Sequence, residues 1–358
     1  MQRSLSLKTF VDLFCGLGGF HLAMLRFYLR CVFACDINMA CRANYRLNFG
    51  IWPQGDIREV AEENIPDHDL LCAGLPCTTF SRCGGRKGVN DPTGQLYLQL
   101  LRICGHHRPK VLIVECVQQL ETLDGGPAFE AIMKALIGWG YHVASKVLNA
   151  GEYGVPQFRK RLYVVAILEE YLIARFVFPY PTRERISLAS ILEPTAVACR
   201  QFVNVSDWNR CSPDGIPWER EGSGLIKIGW IRDDTQGDRI YSIKGHSCTI
   251  TASTGGWGAG TGLYEIDGKI GALTPREAAR CFGFPESYRL LSSRHRSASQ
   301  LGNSVVVPMV IALMNQVCIA IGQPIPTVAG TEPIRGTIGQ NKILAKRVQS
   351  QEKKTNGQ

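Results

Sequence analysis

The chain has 358 residues, 45% of them apolar, with 40 Lys/Arg against 31 Asp/Glu and a net charge of +9. That length supports a large core and two domains, and the apolar share excludes a wholly disordered chain. The positive balance suits a polyanionic partner without requiring one.

In chain order, a strand near 10–14 runs into Cys15-Gly16-Leu17-Gly18-Gly19-Phe20, and a helix follows near 19–29. The glycine-rich turn is not the full dinucleotide fingerprint. Its spacing is wrong for cradling a pyrophosphate, which disfavours an NAD dehydrogenase, whereas a sulfonium cofactor has no pyrophosphate to cradle. The next strand, near 31–35, ends on Asp36, 20 residues beyond Gly16, where an acid can accept hydrogen bonds from ribose hydroxyls. A helix near 38–48 leads to Gly55-Asp56, a second acid placed to receive an adenine amine. A third strand, near 69–73, ends in Gly74-Leu75-Pro76-Cys77. Most cysteines are inert buried thiols, but a thiol after Gly-x-Pro at a strand end reads as a nucleophile. Its thiolate needs nearby positive charge, for which Arg82, Arg159 and Arg161 are candidates. A helix near 95–106 precedes the strand 111–115, which ends on Glu115. Glu115 is either a capped surface carboxylate or, after Val-Leu-Ile-Val, a buried acid with a raised pKa suited to proton donation. A helix near 127–138 and strands near 142–148 and 161–167 complete a doubly wound, mostly parallel Rossmann-like α/β sheet over residues 1–185.

After Pro181 the character changes. Residues 190–272 are rich in Gly, Ser, Thr and Trp, with strand-like pieces at 225–231 and 246–252, and residues 186–292 read as a smaller, mostly β domain. Helix then turn is expected over 274–290. Residues 293–323 carry Gly302-Asn303-Ser304 and an apolar run returning to the first domain. Residues 324–358 read as a basic, disordered tail, with six Lys/Arg against two Glu between 331 and 358. Many of the 14 cysteines lie inside apolar runs and none forms a Cys-x-x-Cys pair, so reduced thiols and no metal site are expected. The N-terminus lacks an apolar signal core, and no stretch is expected to reach transmembrane length.

Six stretches, in order, resemble the C5-cytosine DNA methyltransferase family, with the nearest likeness to bacterial modification enzymes of the HhaI type. They are Asp12–Phe20; Gly74–Cys77 with Phe80-Ser81; Glu115-Cys116-Val117; Tyr153–Arg161; Leu273–Arg280 with Gly283-Phe284-Pro285; and Gly302–Val306. The resemblance covers about residues 8–322. It implies methyl transfer from S-adenosylmethionine to C5 of a flipped-out cytosine in a short duplex sequence, through a covalent Cys77–C6 adduct. In that scheme Glu115 is the acid at the base, Arg161 holds the cytosine carbonyl and Arg159 supports the active-site loop. Phe14 would stack on adenine, Asp36 would hold the ribose and Asp56 the adenine amine. Gly16, Leu17, Gly18, Gly19, Ile37, Ile57, Pro76, Asn303 and Ser304 complete the implied cofactor contacts. Gln236-Gly237-Asp238-Arg239-Ile240-Tyr241 and Thr254-Gly255-Gly256 resemble the two DNA-contacting loops. There Arg239 would read guanine and Gln236 would fill the space left by the base. Tyr241, Gly255 and Gly256, with Ser81 and Arg82, would complete the DNA contacts.

Three positions depart from the family: Cys116 stands for the usual Asn, Thr78 for Gln, and Ile37 for an aromatic or other bulky side chain. The expected partner is double-stranded DNA, met by a monomer, with a cognate restriction endonuclease acting separately and no membrane. The expected compartment is the cytoplasm of a bacterium or the nucleus of a eukaryote. The alternatives are a tRNA cytosine-5 methyltransferase and a catalytically impaired DNA-binding relative.

Overall fold

The computed structural model describes residues 6–76, 96–122, 126–182, 185–194, 200, 202–203, 208–211, 218–220, 222–252, 260–291 and 294–327. Six strands form the first sheet: β1 (Thr9–Leu13), β2 (Arg30–Cys35), β3 (Leu70–Gly74), β4 (Val111–Cys116), β5 (Tyr141–Asn149) and β6 (Lys160–Leu168). Their order is β2-β1-β3-β4-β6-β5. β2, β1, β3 and β4 are parallel, while β6 inserts antiparallel between β4 and β5. All six strands lie within a residue of their expected limits. β1 stops one residue early, because Phe14 takes a left-handed φ of 56°.

Alternate residues feed two cores, one on each face of the sheet. Phe10, Cys72, Val111 and Ile113 point to one face, which α1 (Gly19–Leu25) and α7 (Val307–Ile321) cover. Val11, Leu13, Leu71 and Leu112 point to the other, under α3 (Leu96–His107) and α4 (Pro127–Gly138). Burial on both faces is why these strands read as continuous apolar runs. α2 (Met39–Phe49) starts where Asn38 caps the amides of Ala40 and Cys41. α1 is shorter than expected: the chain turns after Leu25, and Tyr28 has a φ of 57°.

The second sheet has the order β12-β11-β10-β9-β7, with β8 also on β9. Its strands are β7 (Asn209–Arg210), β8 (Trp218–Arg220), β9 (Leu225–Trp230), β10 (Arg239–Ser242), β11 (Leu263–Ile266) and β12 (Lys269–Gly271). The expected strand at 246–252 is absent as such. Its backbone instead bonds to the loop before β6, with Ser247 exchanging bonds with Pro156 (2.7 Å) and Phe158 (2.9 Å). α5 (Pro275–Arg280) has a full capping box between Thr274 and Glu277, and α6 (Arg294–Gly302) follows. By length and apolarity Ser297–Ile321 does reach membrane-span proportions, contrary to expectation. With 67% of its most apolar window buried inside the protein, α7 is a core helix. All eleven described cysteines are free, and only Cys211 among them is not buried.

Candidate active site

The parallel strands deliver their carboxyl ends to one edge, where the loop after β1 is built from left-handed turns at Phe14, Gly16 (51°) and Gly18 (79°). The glycines do different work. A Cβ on Gly18 would lie 2.3 Å from the Phe49 ring, and one on Gly19 would lie 2.7 Å from Val305 Cγ2 and 2.9 Å from the Val305 carbonyl. Both therefore serve close packing, and Gly19 seats the segment that carries exposed Asn303 and buried Ser304. Gly16 has nothing within 4 Å of a Cβ position, so its turn faces open space. The carbonyl of buried Leu17 is pinned by the Tyr288 hydroxyl (2.6 Å).

Asp36 ties this loop to β2. Its Oδ2 accepts from the Gly16 amide (2.8 Å) and its Oδ1 from the Asn38 amide (2.7 Å). Burial pushes the carboxyl up, against the pull of those two amides. Each oxygen keeps a further lone pair for a ligand hydroxyl. Ile37 beside it is 71% exposed, an apolar side chain with room for a flat ring. Asp56 caps a short turn at Ile57–Glu59 and is already engaged: it accepts from the Arg58 amide (3.0 Å) and pairs with the Arg58 side chain. The Arg58 bond holds its carboxyl below the usual range, and neighbouring Ile57 is buried.

Glu115 is the last residue but one of β4, opposite Gly74 of β3 and Tyr163 of β6. Its carbonyl accepts from the Leu75 amide (2.9 Å), and Pro76 follows at the same edge. The side chain is 5% exposed. Arg161 Nε lies 3.3 Å from Glu115 Oε1, and Arg159 Nη2 lies 4.0 Å away. Burial raises the carboxyl's pKa, and the Arg161 and Arg159 charges only partly oppose it. Two arginines read from the sequence as charge for the Cys77 thiolate thus stand against Glu115 instead, and burial favours the protonated form of the acid.

Arg159 is buried and has a second task. Its guanidinium donates to the carbonyls of Ile250 (3.0 Å), Gly302 (3.0 Å) and Ser304 (2.9 Å). Gln157 acts in parallel, donating to the Cys281 carbonyl (2.8 Å) and accepting from the Ile250 amide (3.1 Å). These two side chains lace the first sheet to the later segments. The expected brace of the active-site loop by Arg159 concerns residues outside the described ones.

In the second sheet, exposed Gln236 sits in the turn before β10. Buried Asp238 pins that turn by accepting from Arg232 Nη2 (2.7 Å) and Thr235 Oγ1 (2.6 Å). Arg239 and Tyr241 line a cavity of about 480 Å³ with Lys227, Trp230 and Asp234. Cys77, Thr78, Ser81, Arg82, Gly255 and Gly256 lie outside the described residues.

Sequence reading missed several partners. Glu277 binds Arg200 bidentately (2.5 and 2.8 Å), a buried pair joining α5 to the start of the second sheet region. The Thr-x-x-Glu pattern could have flagged the cap on α5, but nothing local marks Arg200. Lys227 and Asp234 carry no sequence signal at all.

Solved structures of the same shape are methyltransferases. An Entamoeba histolytica methyltransferase, EhMeth, superposes with a TM-score of 0.67 at 18% identity, covering 88% of this chain and 99% of that one. The S. pombe Dnmt2 methyltransferase superposes at 0.62 and 23%, covering 88% and 98%. The fold is therefore that of a methyltransferase. At the level of sequence, the profile of C-5 cytosine-specific DNA methylases matches residues 8–318. The type II methyltransferase M.HhaI of Haemophilus parahaemolyticus is 37% identical over 306 residues, 86% of this chain and 93% of that protein. M.MspI of a Moraxella species is 34% identical over 316 residues, 87% and 71%. The chain belongs to the C5-cytosine-specific DNA methylase family and is a DNA (cytosine-5-)-methyltransferase.

Proposed function

We propose that the chain methylates C5 of a flipped-out cytosine in a short duplex sequence, with Cys77 as nucleophile and Glu115 as the acid at N3. The observation that carries this reading is the buried, proton-favouring Glu115 beside Arg161, bonded through its carbonyl to Leu75, two residues before Cys77. Cytosine C5 is a poor nucleophile. Addition of the Cys77 thiolate to C6 converts the ring to an enamine, and a proton or hydrogen bond from Glu115 at N3 offsets the charge that develops. Arg161 holds the carbonyl oxygen of the base. Once C5 carries the methyl group, loss of its proton to a base allows elimination, which restores the C5–C6 double bond and frees Cys77. Extrusion of the cytosine costs about a few kcal/mol, offset by phosphate contacts from a chain of net charge +9.

Members of the family use S-adenosylmethionine, and the residues present fit it. Gly16 offers an open left-handed turn at a strand end, Asp36 has lone pairs for the ribose hydroxyls, and Ile37 offers an exposed apolar face for adenine. Phe14 would stack on the ring, and Asp56 would take the adenine amine while keeping Arg58. The remaining contacts would come from Leu17, Gly18, Gly19, Ile57, Pro76, Asn303 and Ser304. When bound, the cofactor supplies the electrophilic methyl group that C5 receives.

In the second sheet Arg239 reads guanine and Gln236 fills the space left by the flipped base. The curated relatives named above are type II methyltransferases, so the biological role we propose is protection of duplex DNA from a separate cognate nuclease. Bisulfite sequencing of DNA from cells expressing the chain identifies the methylated sequence. Duplexes carrying 5-fluorocytosine at that position should then form a denaturant-resistant adduct that requires S-adenosylmethionine and vanishes in Cys77→Ser. An adduct that persists in Cys77→Ser means that another cysteine is the nucleophile. Methylation of tRNA but not duplex DNA overturns the substrate.

A further inference from the structure

Arg239 does not stand alone on the face of the second sheet. β9 and β10 pair antiparallel with Trp230 opposite Arg239 and Lys227 opposite Tyr241. Between β9 and β10 the chain turns through Asp234, whose φ of 54° is left-handed, a region that aspartate tolerates better than most residues. That turn brings the Asp234 carboxylate back over the sheet. Its Oδ1 accepts from Arg239 Nε (3.0 Å) and from Lys227 Nζ (2.6 Å). Tyr241, opposite Lys227 in the same pairing, completes the cluster. Lys227 in turn lies over the Trp230 ring, 4.7 Å from its centroid. All of these side chains line the cavity described above.

The geometry constrains how Arg239 can be used. An arginine reads guanine through two N–H groups directed at O6 and N7, and its five donors form a rigid fork. A carboxylate on Nε removes the side-on edge of that fork and fixes the plane of the guanidinium. With Nε engaged, the edge of the fork that Asp234 leaves untouched is the Nη1/Nη2 pair. Lys227 neutralises the second half of the interaction: with one cation on each side, the Asp234 charge does not cancel that of Arg239 toward DNA. Left unbraced, an arginine this exposed (41%) would spread over many rotamers and meet phosphates as readily as base edges.

We infer that Asp234 is a specificity-positioning residue, which orients Arg239 for end-on reading of a guanine and is itself held in place by Lys227. The inference rests on the reading of Arg239 as a base-contacting residue. A positioning role predicts a particular pattern. Asp234→Ala should reduce discrimination between the cognate duplex and a variant changed at the guanine read by Arg239 by about fivefold or more, the size of a contact coupling between neighbouring side chains. Discrimination at the other positions of the site should hold, and the loss on cognate duplex should appear in KM with kcat retained. Asp234→Asn should recover most of the discrimination, since the amide oxygen still accepts from Nε. In the double variant Asp234→Ala/Arg239→Ala, discrimination should match that of Arg239→Ala alone.

The test is steady-state methyl transfer on the cognate duplex and its single-base variants, after the site has been mapped by bisulfite sequencing. S-adenosylmethionine affinity and thermal stability of each variant serve as folding checks. If Arg239→Ala relaxes one base position but Asp234→Ala does not, the positioning role is wrong and the base-reading role survives. If Arg239→Ala weakens all duplexes alike, the base-reading role is wrong and the positioning role goes with it. Additive losses in the double variant, or equal losses on every duplex for Asp234→Ala, also overturn the inference.

Discussion

Replacing Glu115 by glutamine separates two forces that act on its carboxyl group. Arg161 stands 3.3 Å from the acid and Arg159 4.0 Å, and both Glu115 and Arg159 are buried. If the ion pairs dominated, neutralising the acid would strand two cations and cost about 3–5 kcal/mol. The balance runs the other way. Burial is the larger influence and raises the carboxyl's pKa in spite of both guanidinium groups. A carboxyl whose folded pKa is raised binds its proton more tightly in the folded state. Its ionisation therefore costs stability, which falls as pH rises from the ordinary value of 4.5 through the folded value and stays low above it. The cations also have other support: Arg159 bonds three carbonyls, and Arg161 donates to the Lys160 carbonyl (2.8 Å). Glu115→Gln should therefore unfold within about 1 kcal/mol of the parent at neutral pH, or be more stable. Its stability should lack the parent's decline with pH. Methyl transfer should fall by about 10²–10⁴-fold, because an amide is no acid. Urea titrations of both proteins from about pH 5 to 8 give the difference in slope directly. A variant that loses about 3 kcal/mol or more at neutral pH, or that keeps the parent's pH slope, refutes the reasoning: the pair would then be a net stabiliser and Glu115 an ionised acid.

Arg159→Ala should destabilise the fold by about 3 kcal/mol or more in urea titrations, since three buried carbonyls lose their donor at roughly 1 kcal/mol or more each; Arg159→Lys should restore only part, and an unchanged midpoint for the alanine variant would dismiss the tether. Asp36→Ala should weaken S-adenosylmethionine binding by about 1.5–3 kcal/mol in calorimetry, and unchanged affinity would remove Asp36 from the site. Gly19→Ala should cost about 1–3 kcal/mol of stability, because its Cβ would press on the Val305 carbonyl at 2.9 Å; a neutral effect in thermal melts would mean that the loop yields.

Much of the protein was legible in the sequence because the relevant information is local. Continuous apolar runs mark strands buried on both faces, and Gly and Pro punctuate them, so the strand limits came out within a residue or so. Asp36, Glu115 and the glycine-rich turn could be named because each lies at or just past the carboxyl end of its own strand, and parallel strands present those ends to one edge. The two shortfalls in regular structure are tertiary. α1 ends at Leu25, ahead of a left-handed Tyr28 that no pattern announces, and residues 247–250 bond to the loop before β6 instead of to a strand.

By itself, then, the amino-acid order determined the alternating α/β plan and which chemical groups end which strands. Tertiary structure alone decided what those groups touch. Arg159 reaches carbonyls 91, 143 and 145 residues away, and β6 slots antiparallel beside β4 to bring Arg161 onto Glu115. The raised pKa of Glu115 follows from water excluded by elements remote in sequence, and the hold of Asp234 on Arg239 follows from a left-handed turn between two strands. Propensity and periodicity act over a few residues, whereas burial, ion pairing and side-chain aim depend on contacts that exist only once the chain has closed on itself.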